Sequence, residues 1–166
     1  MATLVAIPTL LIALILQSAV ISRINLLHGS ADLVLVILAA WALQGRIKNA
    51  WQWALAAGAL VGYVSGLPWF VPLAGYLLVV GVARLLQRRV WQAPLLAMFT
   101  VSFVGTLFMH LFSLITLRLS GNPLPFGDSL SLITLPSILL NLFLAIPVYS
   151  LLKDLAGWLY PLEVEA

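Results

Sequence analysis

The sequence predicts an all-α integral membrane protein that crosses the bilayer as six helices. Hydrophobic residues make up 63% of the 166-residue chain, charged residues only 8%, and the mean hydropathy is +1.14. A soluble domain carries roughly 25% charged residues, so most of this surface must face lipid. The apolar runs lack the alternation of apolar and polar residues that a spanning β-barrel requires. Helices, which satisfy their own backbone groups, are therefore the predicted spans.

Charged residues and turn residues divide the chain into six apolar segments within a single domain, residues 1–166. A spanning helix needs about 20 mainly apolar residues. As one helix, the uncharged run 49–83 would be about 52 Å long, too long for one crossing, and Ser65-Gly66-Leu67-Pro68 predicts a turn within it. The predicted spans are 3–22, 28–44, 51–65, 68–84, 94–117 and 130–152. We expect the first to be a retained helix, because it lacks the basic start of a signal peptide.

The positive charges predict the orientation of the six helices. With six spans, both termini and the second and fourth loops lie on one side of the membrane. The basic residues on that side are Arg46, Lys48, Arg84, Arg88, Arg89 and Lys153. The other side holds Arg23 and Arg118. The positive-inside rule therefore places both termini in the cytoplasm. The tryptophans beside the basic loops are expected at the membrane interface, and they are Trp41, Trp51, Trp53 and Trp91.

The composition argues against several classes of function. The net charge of +3 is a count over few residues and does not indicate nucleic-acid binding. The chain has no cysteine, which excludes disulfides and thiolate sites. It also shows no metal-ligand spacing and no glycine-rich phosphate loop. The segment Gly62-Tyr63-Val64-Ser65-Gly66 does not have the spacing of a nucleophile elbow. We therefore predict no catalytic residues, no metal and no cofactor.

Polar residues recur every four positions on the fifth and sixth predicted helices. They are Ser102, Thr106 and His110 on one helix and Ser137 and Asn141 on the other. Residues four apart share a helix face. Polar side chains on neighbouring membrane helices commonly turn inward and hydrogen-bond to one another. The two stripes are thus predicted to face the bundle interior, either bonded to each other or lining a pocket.

A candidate polar cluster lies at the outer edge of the predicted bundle and consists of Asp32, Arg118 and Asp128. Two roles are open for Asp32, which precedes the second apolar run. It can cap the helix by accepting hydrogen bonds from the free amides of the first turn. It can also serve as a proton or ligand site, with Arg23 or Arg118 as its ion-pair partner.

Gly58 and Gly62 form a pair of small residues four positions apart. Such a pair allows another backbone to approach closely through packing. The neighbouring backbone belongs either to another helix of this chain or to the transmembrane helix of a partner protein.

Several segments resemble motifs of a known family. Gly29-Ser30-Ala31-Asp32-Leu33-Val34-Leu35 resembles the start of its second helix. Leu135-Pro136-Ser137-Ile138-Leu139-Leu140-Asn141, followed by Ala145-Ile146-Pro147-Val148-Tyr149, resembles its last helix, and Gly105-Thr106 with His110 is similar to its fifth. The family is that of the bacterial rod shape-determining protein MreD. Length, six spans and a basic cytoplasmic side agree with it over most of the chain.

The resemblance to MreD implies a non-catalytic scaffold subunit of the cell-elongation machinery, which directs lateral peptidoglycan synthesis, in the bacterial cytoplasmic (inner) membrane. It implies binding to MreC, a single-span protein with a periplasmic domain, and indirect association with RodA, a class B penicillin-binding protein and MreB. Gly58 and Gly62 are the predicted contact with the partner helix. One departure is that Tyr63-Val64-Ser65-Gly66 lacks the acidic residue expected before the turn after the third helix.

Two alternative functions remain. The MreD architecture is similar to that of the S-components of energy-coupling-factor vitamin transporters, which bind a small molecule from the outer side. Similarity of fold does not determine function, so this alternative depends on an outer-facing pocket with several polar groups. A small membrane enzyme of unrecognised type is the third possibility.

Overall fold

The computed structural model describes residues 2–23, 26–89, 93–122 and 124–160, and this part of the chain is almost entirely helical. The helices are α1 (Ala2–Ala19), α2 (Leu33–Ala42), α3 (Ala50–Val64), α4 (Phe70–Arg89), α5 (Pro94–Leu119), α6 (Phe126–Asp128) and α7 (Leu135–Leu159). A 3₁₀ turn, Ile21–Arg23, follows α1, and a π-helical turn, Ser129–Thr134, joins α6 to α7.

In the part of the chain that the structure describes, three helical stretches are long and apolar enough to cross a membrane. They are Phe70–Arg88, Pro94–Leu119 and Phe126–Leu159, of 19, 26 and 34 residues. Within the same described ranges, Val5–Ala19 and Leu33–Ala42 are apolar but shorter. By length and composition the chain is an α-helical membrane protein.

Each predicted segment contains one of the helices α1 to α5 or α7, but the ends differ. α4 continues to Arg89 and α7 to Leu159, beyond the predicted ends at residues 84 and 152. Hydropathy falls where charged residues begin, whereas the backbone hydrogen bonds of a helix continue through them. A hydropathy-based boundary therefore marks the end of the apolar surface and not the end of the helix.

Helix α2 lies at the centre of the bundle. All ten of its residues are buried, and it packs against α1, α3, α4, α5 and α7. A helix that is apolar on every face is expected to be buried. Its length is about 15 Å, half of the roughly 30 Å hydrocarbon core. The prediction of a helix over 28–44 is therefore too long by several residues at its start.

The residues before α2 leave the helical conformation because they bond to other parts of the chain. The amide of His28 donates to the carbonyl oxygen of Leu132 at 3.1 Å, and Leu26 and Gly29 bond to each other in a tight turn. A Cβ atom at Gly29 would lie 2.7 Å from the backbone nitrogen of Ser137. Only glycine allows the chain to lie this close to α7.

Trp41 and Trp53 are core residues rather than interface anchors. Both are fully buried, and their rings stack with centroids 4.2 Å apart. Neither indole N–H has a hydrogen-bond partner in the described structure. Trp51 is 45% exposed, and Trp91 lies outside the described residues. The prediction was wrong for Trp41 and Trp53 because the two rings cover each other inside the bundle.

The pair Gly58 and Gly62 packs against α4 of the same chain. A Cβ atom at Gly58 would lie 2.7 Å from Cα of Leu73, and one at Gly62 would lie 3.1 Å from Cα of Trp69. Helices α3 and α4 therefore form a hairpin in which the two backbones pack in close contact. The predicted partner-helix role of this pair is corrected to an internal one, because α4 already occupies the surface.

Replacing Gly58 with alanine should lower the midpoint of thermal unfolding in detergent. Overpacking typically costs about 1–3 kcal/mol, and the better helix propensity of alanine returns only about 1 kcal/mol. Gly66→Ala is the matched control, since nothing lies within 4 Å of a Cβ atom there. Equal midpoints for Gly58→Ala and wild type would contradict the close contact of α3 with α4.

Candidate functional site

Asp32 lies at the N-cap of α2 and binds groups from two helices. Its Oδ1 accepts a hydrogen bond from the amide of Leu35 at 2.9 Å, which is the capping contact predicted for it. The hydroxyl of Tyr76 on α4 donates to the same carboxylate and lies 3.1 Å from Oδ2 and 3.3 Å from Oδ1. A carboxylate at the start of a helix is also favoured by the helix dipole. The buried end of α2 is thereby tied to α4.

Asn141 connects the same point to α7 and α5. Its Oδ1 accepts a hydrogen bond from the amide of Asp32 at 2.7 Å. Its Nδ2 donates to Oγ1 of Thr106 at 2.7 Å, and the Thr106 hydroxyl donates to the carbonyl oxygen of Ser102. Asn141 and Thr106 are almost completely buried. The predicted contact between the two polar stripes is present and runs through Asn141.

In the segment before α2, the spacing of alternate amides matches the rise of about one turn of α7. The amide of Ser30 donates to Oγ of Ser137 at 3.1 Å, two residues before Asp32 donates to Asn141. Two residues of extended chain advance about 6.6 Å, and four residues of α-helix advance about 6 Å. Alternate amides of the segment therefore reach successive turns of α7. The polar stripe on α7 therefore bonds to this segment as well as to α5.

His110, the last residue of the stripe on α5, is separate from the hydrogen bonds around Asp32 and Asn141. Nδ1 of His110 lies 3.2 Å from Oγ1 of Thr134, in the π-helical turn. His110 also lines a cavity of about 190 Å³, between α5 and the chain that leads into α7. The hydroxyl of Ser102 is buried and has no hydrogen-bond partner within the described ranges. The five stripe residues thus do not form a single hydrogen-bonded network.

The outer-edge cluster is not assembled as predicted. Arg118 is exposed in the last turn of α5, and Asp128 is exposed on α6. Neither shares a hydrogen bond or ion pair with Asp32, whose contacts are Leu35, Tyr76 and Asn141. The ion pair considered for Asp32 with Arg23 or Arg118 is replaced by the bond to Tyr76. Asp32 belongs to the interior network because the buried N-terminus of α2 holds it there.

Tyr76 is the residue that sequence reasoning missed. It is 1% exposed in the apolar first half of α4. A buried tyrosine hydroxyl usually has a hydrogen-bond partner. A tyrosine within an apolar stretch therefore indicates an acceptor inside the bundle, and the structure shows that this acceptor is Asp32.

The network consists of hydrogen bonds between helices of the bundle. In the described parts of the chain, no three histidine or acidic residues lie close enough to hold a metal ion. The polar groups that converge at Asp32 are a carboxylate, a phenol, a carboxamide and a hydroxyl, each bonded to another member or to the backbone. These bonds hold α2, α4, α5 and α7 together.

Comparisons with known proteins return no match. No family model matches the chain, and neither a curated protein nor a solved structure is significantly similar to it. The function is therefore argued from the residues and their geometry.

Replacing Tyr76 with phenylalanine should destabilise the folded state in detergent. The change removes the hydroxyl that donates to Asp32 and leaves the ring in place. Hydrogen bonds between membrane helices contribute about 0.6 kcal/mol on average, whereas bonds to charged groups contribute about 1.5–3 kcal/mol. We therefore expect the free energy of unfolding to fall by about 0.6–3 kcal/mol. Unfolding in a denaturing detergent measures this change.

The control for Tyr76→Phe is Tyr63→Phe, because Tyr63 is 93% exposed. It should leave stability unchanged. If both variants unfold at the same point as wild type, the Tyr76 hydroxyl contributes nothing and the network does not hold α4 to α2.

Proposed function

We propose that the chain is a non-catalytic scaffold subunit of the bacterial cell-elongation machinery, similar to MreD. In this proposal it lies in the cytoplasmic membrane and binds the transmembrane helix of an MreC-like partner. The MreD-like motifs at 29–35 and 135–141 support it in a specific way. Their side chains and amides bond to one another, through Ser30 with Ser137 and Asp32 with Asn141. The residues that carry the resemblance are thus the ones that join α2 to α7.

The proposal includes six crossings with both termini in the cytoplasm. Helix α2 alone is about 15 Å long, and residues 29–32, when extended, add up to about 13 Å. Together they approach the roughly 30 Å of a hydrocarbon core. Non-helical backbone is tolerated at membrane depth where protein covers it, and Gly29 and Ala31 are buried. The excess of basic residues in the even-numbered loops supports the orientation.

The observation that carries the proposal is the filled interior. Helix α2 exposes none of its ten residues, and the polar groups around Asp32 are bonded to one another. A catalytic or substrate site needs polar groups that converge on an accessible pocket. Here they converge on a closed contact between four helices. A closed interior leaves the outer surface for function, and that is where a scaffold acts.

A groove between α1 and α3 is the surface that we propose for the partner helix. Its volume is about 490 Å³, and its walls include Leu11, Ile15, Gln17, Val61, Val64 and Ser65. Oε1 of Gln17 accepts a bond from the amide of Val34 at 3.3 Å, and its Nε2 has no partner among the residues described. Lipid tails are as apolar as leucine, so binding in the membrane depends on close packing and a few hydrogen bonds. The groove offers both.

Filling the groove should weaken binding of the MreC-like partner. In the double variant Ile15→Trp with Val64→Trp, two rings occupy the space between α1 and α3. We expect at least a tenfold drop in the amount of partner that copurifies from native membranes. Rod-shaped cells that depend on this variant should round up, because wall synthesis loses its lateral direction.

The matched control is Ile12→Trp with Tyr63→Trp. These residues lie on the same two helices and are exposed, but they do not line the groove. The control should retain the partner and the rod shape. If the groove variant also retains the partner, docking occurs elsewhere. If wild type copurifies with no MreC-like protein, the scaffold proposal is wrong.

The S-component alternative has one observation in its favour, the cavity beside His110. It lies towards the end of α5 that is predicted to face outward, and Ser129 and Thr134 add polar groups to its wall. Its volume of about 190 Å³ is below the range of about 300–1,000 Å³ that is usual for ligand pockets. This cavity is small for a vitamin. Copurification with an ATPase module and a bound small molecule would favour the transporter over the scaffold.

A further inference from the structure

A basic groove lies between the chain segment that precedes α3 and the end of α4. Its volume is about 720 Å³. The residues that matter here are Lys48, Trp51, Gly81, Arg84, Leu85 and Arg88. The size is within the range of about 300–1,000 Å³ typical of ligand sites. It is separate from the Asp32 network and from the groove proposed for the partner helix.

Within the described ranges, three cations line this groove and no carboxylate does. Arg84 and Arg88 are one helical turn apart, where like charges destabilise a helix. Lys48 adds a third charge from the opposite wall. The carboxylates within the described ranges are Asp32, Asp128 and Asp154, and none of them lines the groove. A bound anion would offset this repulsion.

Arg84 is held in a fixed position by the protein. One guanidinium nitrogen donates to the carbonyl oxygen of Ile47 and the other terminal nitrogen to Oε1 of Gln87. A guanidinium has five N–H donors, so these two contacts leave others to bind an oxyanion. A fixed guanidinium loses little entropy on binding, and its fork matches the geometry of a phosphate group.

The groove also has an apolar part, at the level where a membrane surface is expected. Trp51 is 45% exposed and Leu85 is 68% exposed. A Cβ atom at Gly81 would lie 3.5 Å from the Trp51 ring, so this ring lies along α4. Arg84 and Arg88 come at the end of the apolar stretch Phe70–Arg88. Tryptophan and basic residues at the end of an apolar helix are typical of the headgroup region.

We propose that this groove binds an anionic phospholipid, with its phosphate between Lys48, Arg84 and Arg88 and an acyl chain against Trp51 and Leu85. Basic pockets between membrane helices are a known kind of site for anionic headgroups. The combination of cations and exposed apolar side chains favours a whole lipid over a free phosphate ion. An isolated phosphate would leave Trp51 and Leu85 without a contact.

The test uses the full chain in nanodiscs that contain phosphatidylglycerol or phosphatidylcholine, followed by native mass spectrometry of retained lipid. Wild type should retain phosphatidylglycerol and not phosphatidylcholine. The double variant Lys48→Gln with Arg88→Gln should bind phosphatidylglycerol about thirtyfold more weakly, because each basic residue near an anionic surface contributes about 1 kcal/mol. Arg84 is left unchanged, since its bond to Ile47 supports the fold.

The control is Lys153→Gln, an exposed basic residue on α7 outside the groove. It should bind phosphatidylglycerol like wild type, and circular dichroism should show that all variants are folded. Equal retention of the two lipids by wild type would overturn the proposal. So would unchanged binding in the Lys48 and Arg88 double variant. If millimolar inorganic phosphate displaces the lipid, the groove recognises phosphate alone, and the commitment to a whole lipid is wrong.

Discussion

The hydrogen bonds at Asp32 are the constraint on which the arrangement of this bundle depends. A helix whose ten residues are all buried can be enclosed only if its free first amides have partners. The carboxylate of Asp32 accepts a hydrogen bond from the amide of Leu35 in the first turn of α2. The hydroxyl of Tyr76 donates to the same carboxylate. Asn141 then bonds the backbone of Asp32 to α7 and α5. Asp32 and Asn141 together join four helices, because each bond satisfies a group that burial would otherwise leave unpaired.

The positions of the helices could be predicted from the sequence, but the conformation at the start of α2 could not. Apolar runs mark which segments avoid water, and each of the six contains a helix. Hydropathy does not distinguish a helix from an extended segment that another helix covers. The chain at 29–32 lies against α7, where the amides of Ser30 and Asp32 bond to Ser137 and Asn141. Its partners are more than 100 residues away, so no local pattern reveals them.

Part of the site could also be predicted, because local periodicity identifies helix faces but not the tertiary contacts that they make. The four-residue repeat of Thr106 and Asn141 identified two faces that meet. Tyr76 and the packing of Gly58 depend on how α4 folds back on α3 and α2, and periodicity alone does not contain that information. A glycine pair shows that some backbone approaches closely, and only the tertiary fold shows which one.

The central claim is that the network at Asp32 secures the enclosed helix α2 to α7, and hydrogen–deuterium exchange with mass spectrometry tests it directly. In wild type, the amides of Leu33–Ala42 should exchange more slowly than those of α1, because every residue of α2 is buried. In Asp32→Ala, exchange in α2 and around Asn141 should accelerate together, while the α3–α4 hairpin keeps its protection. The exposed residue Asp154 provides the control, Asp154→Ala. Unchanged protection of α2 in Asp32→Ala would contradict the account.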